Sequence, residues 1–258
     1  MLSIDLTGRI VLLLGGSRGI GEGITRLLCQ AGARVVFTHT GNPQYAGRLE
    51  ALLREVRAGG GAVQAEALDA LDGEATRALA GRLASEHGRL DGLLCNVGKN
   101  LAREPHEVSD ESWRRFLDLN LTSAFYGVRA VLPHMLKAHY GRIVLIGSSA
   151  VFDGGGGAVD YAAGKTGLKG MMSYLCRNFT RRGILTNIIH PAAIETDLLK
   201  ERYGEEEARR RLVAQIPAGR LGRPEDIAAL TAYLLSPWGD YICGQEILAD
   251  GGRTFFNR

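Results

Sequence analysis

Several features are scarce in this chain of 258 residues, and each scarcity excludes a class of protein. Cysteine is rare, and the four thiols stand far apart, with no Cys-x-x-Cys motif and no cluster of cysteine and histidine. These cysteines are Cys29, Cys95, Cys176 and Cys243. The spacing predicts that the protein holds no metal and that its thiols are reduced, as in the cytoplasm.

Charge of one sign is not in excess. The chain carries 31 lysines and arginines against 28 aspartates and glutamates, a formal net charge of +3, and the two signs are interspersed. This balance gives no support for a nucleic-acid partner. No apolar run approaches the ~20 residues of a membrane-spanning helix, and the N-terminal residues lack the basic and apolar regions of a signal peptide. We expect a cytoplasmic protein with neither a nucleic acid nor a membrane as partner.

The chain instead alternates short apolar runs with amphipathic stretches, which predicts strands alternating with helices. The predicted strands are residues 10–14, 34–38, 62–68, 90–95, 142–146, 184–189 and 246–249. The predicted helices are residues 20–32, 43–58, 73–87, 112–136, 161–182, 205–215 and 224–235. Pro133 is expected to kink or break the fourth helix. With no linker or repeat in residues 1–258, we predict an α/β fold. It is a single Rossmann-type domain whose doubly wound parallel sheet has about seven strands, with helices on both faces.

The first predicted strand leads directly into a glycine-rich turn that a helix follows. This arrangement aims backbone N–H groups and a helix N-terminus at a phosphate, and its glycines let the ligand approach the backbone. A glycine cluster is otherwise only a tight turn, but in this context it predicts a dinucleotide. The predicted cofactor residues of the turn are Gly15, Ser17, Arg18, Gly19, Ile20 and Gly21.

The end of the second predicted strand bears on the choice of cofactor. An NAD site usually has an aspartate or glutamate here to accept the ribose hydroxyls, whereas residues 38–41 read Thr-His-Thr-Gly. A 2′-phosphate would meet no repelling carboxylate, and Arg18 is placed to pair with it unless that arginine is simply solvated. We predict NADP(H) in preference to NAD(H), with His39 in the site. Asp69 ends the third strand, where it either meets the adenine or caps the next helix.

A second motif follows the fifth predicted strand. Tyr161 and Lys165 are four residues apart, so on a helix they share one face. An ammonium about 4 Å away supplies the roughly 4 kcal/mol that would lower the pKa of a phenol from ~10 toward ~7. Ser148 is placed to hold the same substrate oxygen by a hydrogen bond. The three side chains predict an acid–base device for an alcohol or carbonyl, although an ordinary surface helix also fits this spacing.

With these motifs on one chain, the sequence resembles the short-chain dehydrogenase/reductase family over essentially its whole length. Residues 15–21 are similar to the cofactor turn Gly-x-x-x-Gly-x-Gly of that family, and residues 96–98, Asn-Val-Gly, are similar to its Asn-Ala-Gly motif. The serine and the tyrosine of its catalytic set, matched by Ser148 and Tyr161, have the usual separation of thirteen residues. The four catalytic positions of the family are matched by Asn120, Ser148, Tyr161 and Lys165.

The resemblance implies a role for each catalytic position. Tyr161 would protonate the new alcohol oxygen during reduction while Ser148 orients the carbonyl. Lys165 would lower the pKa of the tyrosine and hold ribose hydroxyls of the cofactor, and Asn120 would hold a water that links the lysine to solvent. Phe152 would join Ser148 and Tyr161 in the substrate pocket, unless it belongs to the core. The further cofactor contacts would be Asn96, Gly98, Pro191, Ile194 and Thr196.

Residues 216–228, 241–244 and 250–252 look most like the 3-oxoacyl-[acyl-carrier-protein] reductases of the family, a likeness that many sugar and small-alcohol dehydrogenases share. The resemblance therefore implies an NADPH-dependent oxidoreductase that reduces a ketone to a secondary alcohol, first of all a 3-oxoacyl thioester of the acyl-carrier-protein or polyketide type. An NAD(P)-dependent alcohol, sugar or steroid dehydrogenase is the alternative. A catalytically silent NADP-binding scaffold fits less well, because the tetrad is intact.

The resemblance also implies a homotetramer and a substrate lid at about residues 193–216. Burial of Phe255 and Phe256 against a neighbouring copy would fit such an assembly. An acyl carrier protein is acidic, so three arginines near one helix end, together with one lysine, are a candidate landing surface for it, although charges that stabilise a helix C-terminus give the same pattern. These residues are Lys137, Arg177, Arg181 and Arg182.

Four residues depart from the family pattern. Leu14, Cys95 and Val97 stand where the family has threonine, asparagine and alanine. We expect these three side chains to touch one another, replacing a hydrogen bond by packing. Ala192 stands where glycine usually follows Pro191, and its methyl group is expected to narrow the pocket. None of the four changes removes a catalytic group.

Overall fold

Seven strands form one sheet in the computed structural model. The structure describes residues 3–155, 157–197, 199 and 205–256, and residue 256 by its backbone alone. All neighbouring strands pair in parallel, in the order β3-β2-β1-β4-β5-β6-β7. The predicted α/β class and the seven-stranded parallel sheet are therefore confirmed. The strands are β1 (Ile10–Leu14), β2 (Arg34–His39), β3 (Ala62–Ala67), β4 (Gly92–Cys95), β5 (Gly141–Ile146), β6 (Ile184–Pro191) and β7 (Glu246–Ala249).

Helices connect the strands and cover both faces of the sheet. They are α1 (Gly19–Gln30), α2 (Ala46–Ala58), α3 (Gly73–His87), α4 (Asp110–Leu117), α5 (Ser123–Ala138), α6 (Ala150–Asp153), α7 (Val159–Phe179), α8 (Glu206–Ala214), α9 (Pro224–Leu235) and α10 (Arg253–Phe256). None of the helices in the described ranges is long and apolar enough to cross a membrane.

Each face of the sheet carries its own apolar core. On one face, α1 and α9 contribute buried residues such as Ile24 and Ile227. On the other, α3, α5 and α7 contribute Leu83, Val131 and Leu168. The central strands β5 and β6 are buried at every position, as parallel strands covered on both faces require. The helices on both faces are thus confirmed as well.

The chain reverses its direction of winding between β1 and β4, because β2 and β3 lie on one side of β1 and the later strands on the other. In sheets of this kind, ligands bind beyond the carboxyl ends of the strands at such a switch point. The segments that follow β1, β4, β5 and β6 therefore define the candidate site.

The helical stretch predicted at residues 112–136 differs from the prediction in one respect. Pro133 lies inside α5 and does not break it, because buried residues on both sides of it, Val131 and Met135, pack against the sheet. The interruption lies earlier, where a π turn at Asp118–Thr122 joins α4 to α5. Packing therefore overrides the local preference of proline at this position.

Candidate active site

The four predicted catalytic side chains lie at the carboxyl edge of the sheet as two pairs. Ser148, just beyond β5, hydrogen-bonds to the phenol of Tyr161 in the first turn of α7. Asn120 and Lys165 both lie against Gly98, which follows β4. One helical turn joins the two pairs, because Tyr161 and Lys165 are four residues apart on α7.

The phenol of Tyr161 is partly buried, and burial raises its pKa above the ordinary value. The hydrogen bond with Ser148 acts in the opposite direction and is the smaller of the two causes. We expected Lys165 to lower this pKa, and the direction is the reverse. The reason is that burial outweighs the polar contacts of the phenol while the lysine is engaged elsewhere. A phenol with a raised pKa is protonated at neutral pH, which suits a proton donor.

Lys165 is 4% exposed, and backbone carbonyls hold its ammonium group. The group donates to the oxygen of Ile146 at 2.8 Å and to the oxygen of Val97 at 3.4 Å. Because burial disfavours a charged amine, the pKa of Lys165 falls to about 8. This lysine therefore lies close to its point of ionisation at neutral pH.

Asn120 is buried within the π turn and ties the helical layer to the segment after β4. Its side-chain amide donates to the carbonyl oxygens of Lys99 and Phe116, each at 2.9 Å. Its side-chain oxygen accepts from the backbone N–H of Lys99 at 3.2 Å. Such wide turns are rare and often occur at functional sites. That Asn120 also holds a water stays a prediction.

Gly98 allows Asn120 and Lys165 to approach each other. A β carbon at position 98 would lie 2.7 Å from Oδ1 of Asn120 and 2.9 Å from Nζ of Lys165. Both polar atoms therefore occupy the space that any other residue would fill, and they are near enough for one water to bridge them. Gly164 has a similar effect, since its β carbon would lie 2.9 Å from that of Asn120.

His190, in β6, packs directly behind Ser148, and the sequence reasoning missed this contact. Nδ1 of the imidazole accepts from the backbone N–H of Ser148 at 3.1 Å and lies 3.0 Å from the backbone oxygen of the same residue. The ring is 1% exposed, and burial lowers the pKa of His190. Nε2 lies 3.3 Å from a carboxylate oxygen of Glu246, so we assign the proton of the neutral imidazole to Nε2. A histidine near the carboxyl end of a largely apolar strand was the available signal.

A buried ion pair fixes the start of α7 and was also missed. Asp160 is fully buried beside Tyr161, and it accepts from that residue's backbone N–H at 2.7 Å and from Arg103 at 2.7 Å. Arg103 also donates to Ser112 at 2.6 Å and stacks on the ring of Phe116 at 4.9 Å. The loop after β4 is thereby tied to the helix that carries the tyrosine.

The glycine turn after β1 is held from both sides. The side-chain amide of Asn96 donates to the backbone oxygen of Gly15 at 2.7 Å, and the backbone N–H of Gly15 donates to the hydroxyl of Thr38 at 3.1 Å. A β carbon at Gly21 would lie 2.0 Å from that same oxygen of Gly15, so the close approach requires glycine. Asn96 therefore supports the turn, and its predicted contact with the cofactor stays a prediction.

The start of α1 fits a pyrophosphate. Among the described residues, no side chain caps its first turn, because Arg18 at the N-cap position makes no cap hydrogen bond. The first N–H groups of a helix lack partners within the helix, and an anion satisfies them. Thr196 borders the turn, since its Cγ2 lies 3.1 Å from the position of a β carbon on Gly19. The backbone N–H groups of Gly19 and Ile20 would hold the phosphates of a dinucleotide.

The residues around the end of β2 are polar and partly exposed. The guanidinium of Arg18 stacks on the ring of Tyr45, 4.5 Å from its centre. Nδ1 of His39 accepts from the backbone N–H of Gly41 at 3.1 Å, and burial lowers the pKa of this histidine. His39 is therefore uncharged at neutral pH, and Arg18 supplies the positive charge at this end of the site.

Asp69 does not cap the next helix. Its carboxylate accepts from the backbone N–H of Leu71 at 3.0 Å, and the side chain is exposed. The cap of α3 is Asp72, which accepts from the N–H groups of its first turn. Of the two alternatives for Asp69, only the contact with the adenine remains, and it stays a prediction.

The apolar departures from the family pattern belong to one cluster. Leu14 and Cys95 are register partners in β1 and β4, both are buried, and Val97 packs against the cluster that contains them. Leu14 and Cys95 also share Gly127 as a neighbour, whose β carbon would lie 2.7 and 3.5 Å from them. The expected replacement of a polar contact by packing therefore agrees with the structure.

The segment after β6 closes the site on one side. Pro191 accepts from the backbone N–H of Ser149 at 3.0 Å, and Ile194, 6% exposed, pairs with Gly222. Ala193 has a φ of 34°, which is unusual for a residue other than glycine. Residues 198 and 200–204 of the lid predicted at about residues 193–216 lie outside the described ranges. Leu212 and Ile216 of the lid form a small apolar cluster with Leu221, which lies just beyond it.

The predicted basic landing surface lies far from the catalytic residues. Its four members are exposed, but three of them lie at or just beyond the C-terminal end of α7, whereas Tyr161 lies at the beginning. At ~1.5 Å per residue, Arg177 is about 24 Å from Tyr161 along this helix. The arginines also precede β6, so they lie at the opposite edge of the sheet. Phe255 is 58% exposed, and the side chain of Phe256 lies outside the described part.

Comparisons of the sequence with known proteins find similar chains. The family model described as enoyl-(acyl carrier protein) reductase matches residues 15–254. The 3-oxoacyl-[acyl-carrier-protein] reductase FabG of Vibrio cholerae is similar, with 34% identity over 249 residues, which cover 96% of this chain and 98% of the relative.

Solved structures are similar over nearly the whole chain. A candidate short-chain alcohol dehydrogenase from Sinorhizobium meliloti superposes with a TM-score of 0.90 at 32% identity, covering 98% of each chain. A candidate NAD(P)-dependent gluconate 5-dehydrogenase from Beutenbergia cavernae, solved with NADP at low occupancy, superposes with a TM-score of 0.89 at 31% identity. The match covers 98% of this chain and 99% of that one.

Proposed function

Because the chain belongs to the short-chain dehydrogenase/reductase family, we propose that it reduces the ketone of a 3-oxoacyl thioester to a secondary alcohol with NADPH. Membership in this family makes the chain an oxidoreductase. A bound nicotinamide cofactor supplies the hydride, and the protein supplies binding, orientation and the proton. The thioester and the choice of NADPH rest on residues at the two ends of the site.

In this proposal Tyr161 donates the proton. Burial keeps its phenol protonated at neutral pH, and Ser148, which hydrogen-bonds to that phenol, holds the carbonyl oxygen of the substrate. Lys165, whose pKa is about 8, is the next group able to exchange a proton. Asn120 stands beside it at the surface-exposed segment of Lys99, which gives the proton a route from solvent.

The observation that favours an acyl substrate is the apolar rim of the site. Three large apolar side chains are exposed on the segments after β4 and β5 and at the start of α7: Leu101 at 49%, Phe152 at 38% and Val159 at 44%. Phe152 packs edge-on against His190, 5.1 Å between ring centres, and this is the histidine behind Ser148. An acyl chain binds more tightly when it buries such apolar surface, whereas a polyol needs hydrogen-bonding groups in its place.

Three features favour NADPH. Thr38 and His39 end β2 without a carboxylate, and Glu66, the register partner of Thr38 on β3, is paired with Arg82 at 2.7 Å. A 2′-phosphate therefore meets little uncompensated negative charge. Arg18 lies in the turn beside this region, where its guanidinium can bind a phosphate through two N–H groups.

A sugar or small-alcohol dehydrogenase is the second candidate. The similarity to a candidate gluconate 5-dehydrogenase supports it. A panel of substrates with both cofactors separates the two. We expect NADPH consumption with 3-oxoacyl thioesters, and kcat/KM that rises about twofold or more with each added methylene of the acyl chain. Faster reduction of NAD(P)+ by gluconate or simple alcohols, with no dependence on acyl chain length, would overturn the proposal.

The carrier of the thioester is tested in the same assay. An acyl carrier protein remains a proposed partner, but the basic residues at the C-terminal end of α7 are too distant to present it to Tyr161. Comparing the same acyl group on acyl carrier protein, on coenzyme A and on N-acetylcysteamine measures the contribution of the carrier. The homotetramer and the cytoplasmic location stay predictions.

A further inference from the structure

Two cysteines that are 67 residues apart in the chain have their sulfur atoms 3.3 Å from each other. Cys176 lies in α7, and Cys243 lies in the segment before β7. Both sulfurs approach the backbone oxygen of Thr186 in β6, at 3.3 and 4.0 Å. We propose that Cys176 and Cys243 form an oxidisable dithiol that closes to an intramolecular disulfide.

The backbone around Cys243 is already fixed for this closure. On one side of it, the side-chain amide of Asn187 donates to the backbone oxygen of Ile242 at 2.8 Å. On the other side, the N–H of Gly244 donates to the backbone oxygen of Thr186 at 2.8 Å. A disulfide has an S–S distance of about 2.0 Å, so the two sulfurs need to approach by little more than about 1 Å. Both anchors are on β6, against which α7 also packs.

The pair is also chemically distinct from the other two cysteines. Cys29 and Cys95 are buried, and burial raises their pKa values to about 11 and about 12. Cys176 and Cys243 are partly exposed. Hydrogen bonds from Cys176 and then from Thr180 hold the pKa of Cys243 below that of an ordinary thiol, while the same contact raises the pKa of Cys176. The hydroxyl of Thr180 lies 3.2 Å from the sulfur of Cys243 and can donate to its thiolate, so we assign Cys243 as the attacking thiol and Cys176 as the resolving thiol.

A peroxide is the oxidant class that fits two such thiols. The Cys243 thiolate attacks hydrogen peroxide, an S–O bond forms, the O–O bond breaks and hydroxide leaves. The Cys176 thiol then attacks the sulfenic acid, an S–S bond forms, the S–O bond breaks and water leaves. The hydroxide takes up the proton that the Cys243 thiol lost on ionising, so two thiols lose two electrons in all and the peroxide is reduced to two molecules of water.

The experiment uses the whole protein with hydrogen peroxide as the probe. After oxidation and digestion without reductant, mass spectrometry is expected to find one linked peptide pair, Cys176 with Cys243, which dithiothreitol removes. Because the bond closes a long loop, the oxidised protein is expected to melt roughly 5–10 °C higher than the reduced protein.

Three variants separate the roles. Cys176→Ala is expected to leave Cys243 as a sulfenic acid that dimedone labels, whereas Cys243→Ala is expected to leave Cys176 unlabelled. Cys29→Ala is the control and should oxidise as the wild type does. The inference is overturned if the wild type gives no linked peptide, if the link joins two copies of the chain, or if dimedone labels Cys29 and Cys95 as readily. The wild-type result decides the question even if a variant fails to fold.

Discussion

The catalytic end and the adenine end of the site are built in different ways. At the catalytic end, Asn120 is 1% exposed and Lys165 4%, and backbone groups hold both side chains. At the adenine end, Arg18 and Asp69 are exposed; Arg18 stacks on an aromatic ring, and Asp69 accepts a hydrogen bond within a local turn. The fold thus holds the proposed catalytic groups in place in advance, while the proposed choice of cofactor rests on exposed side chains.

The sharpest way to break this comparison is to remove the phenol oxygen at the catalytic end. Tyr161→Phe is expected to lower kcat roughly 10²–10⁴-fold, because it removes the proton donor, and to leave the Kd for NADPH within about twofold. Tyr174→Phe, an exposed tyrosine on the same helix at 65%, is the matched control and should retain activity. Steady-state kinetics and cofactor fluorescence measure both. A fall in kcat of less than about tenfold for Tyr161→Phe would remove this residue from the mechanism.

The buried lysine predicts a pH-dependent stability. The pKa of Lys165 is about 8 in the folded chain against 10.5 for the free side chain. Below pH 8 the amine is charged in both states, and the cost of its burial is present in full. Between pH 8 and 10.5 the unfolded chain binds more protons, so the wild type gains stability as pH rises.

Lys165→Met lacks this gain. Urea unfolding at several pH values measures the free energy of unfolding of both proteins. From pH 7 to 10.5, this free energy is expected to rise by about 3 kcal/mol more in the wild type than in the variant. Lys169→Met, at a lysine 61% exposed, is the control and should show a much smaller change. A difference in unfolding free energy that does not vary with pH would contradict a lowered pKa of Lys165 in the folded chain.

The packing around Gly98 predicts a smaller loss. Gly98→Ala places a methyl group within 3 Å of the polar atoms of Asn120 and Lys165, and their displacement is expected to lower kcat roughly tenfold to hundredfold. Gly170→Ala is the control, because a β carbon there meets nothing within 4 Å among the described residues. Equal activity of the two variants would mean that the space beside Gly98 adapts without cost to catalysis.

At the adenine end, the expected effect is on affinity alone. Arg18→Ala is expected to raise the KM for NADPH about tenfold, because a charge-assisted pair with the 2′-phosphate is lost, and to leave the KM for NADH unchanged. Arg54→Ala, at an arginine 74% exposed on α2, is the control. An equal rise in both KM values would show that Arg18 supports the turn without selecting the cofactor.

The smallest effect is expected at the strained residue after β6. Ala193 has a φ of 34°, so Ala193→Gly is expected to raise stability by about 0.5 kcal/mol, relief of strain being offset in part by the greater freedom of glycine in the unfolded chain. Ala192→Gly, where φ is not positive, should lower stability instead. Melting temperatures measured on both variants decide between gain and loss.

Much of the fold was predictable because local pattern and global structure agree. Apolar runs such as residues 10–14 become buried strands, and the glycine turn directs the chain into α1. The spacing of Tyr161 and Lys165 placed them on one face of α7, and the position of Ser148 just after β5 placed it at the same edge of the sheet. The carboxyl ends of parallel strands lie at one edge of the sheet, so the segments that follow them were expected to form one site.

The contacts that were missed all join distant parts of the chain. Arg103 reaches Asp160 across 57 residues, and His190 reaches Ser148 across 42. The periodicity of the sequence does not predict such pairs, because they depend on how the loops and strands pack in the folded chain. The partner of the Lys165 ammonium was missed for the same reason. Its spacing from Tyr161 suggested the phenol as partner, whereas in the folded chain it donates to the carbonyl of Ile146.

The π turn makes the number of residues between α4 and α5 as important as their identity. A π turn holds one residue more than the α-helical turn that it replaces. Deleting one residue of Asp118–Thr122 would let α4 and α5 join as one regular α-helix, because the wide turn is what accommodates the extra residue. Asn120 would then lose the local geometry that places its side chain against the Lys99 backbone, although α5 would keep its packing on the sheet. Homologous chains recombined or shortened at this junction should therefore lose activity even when every catalytic side chain is retained.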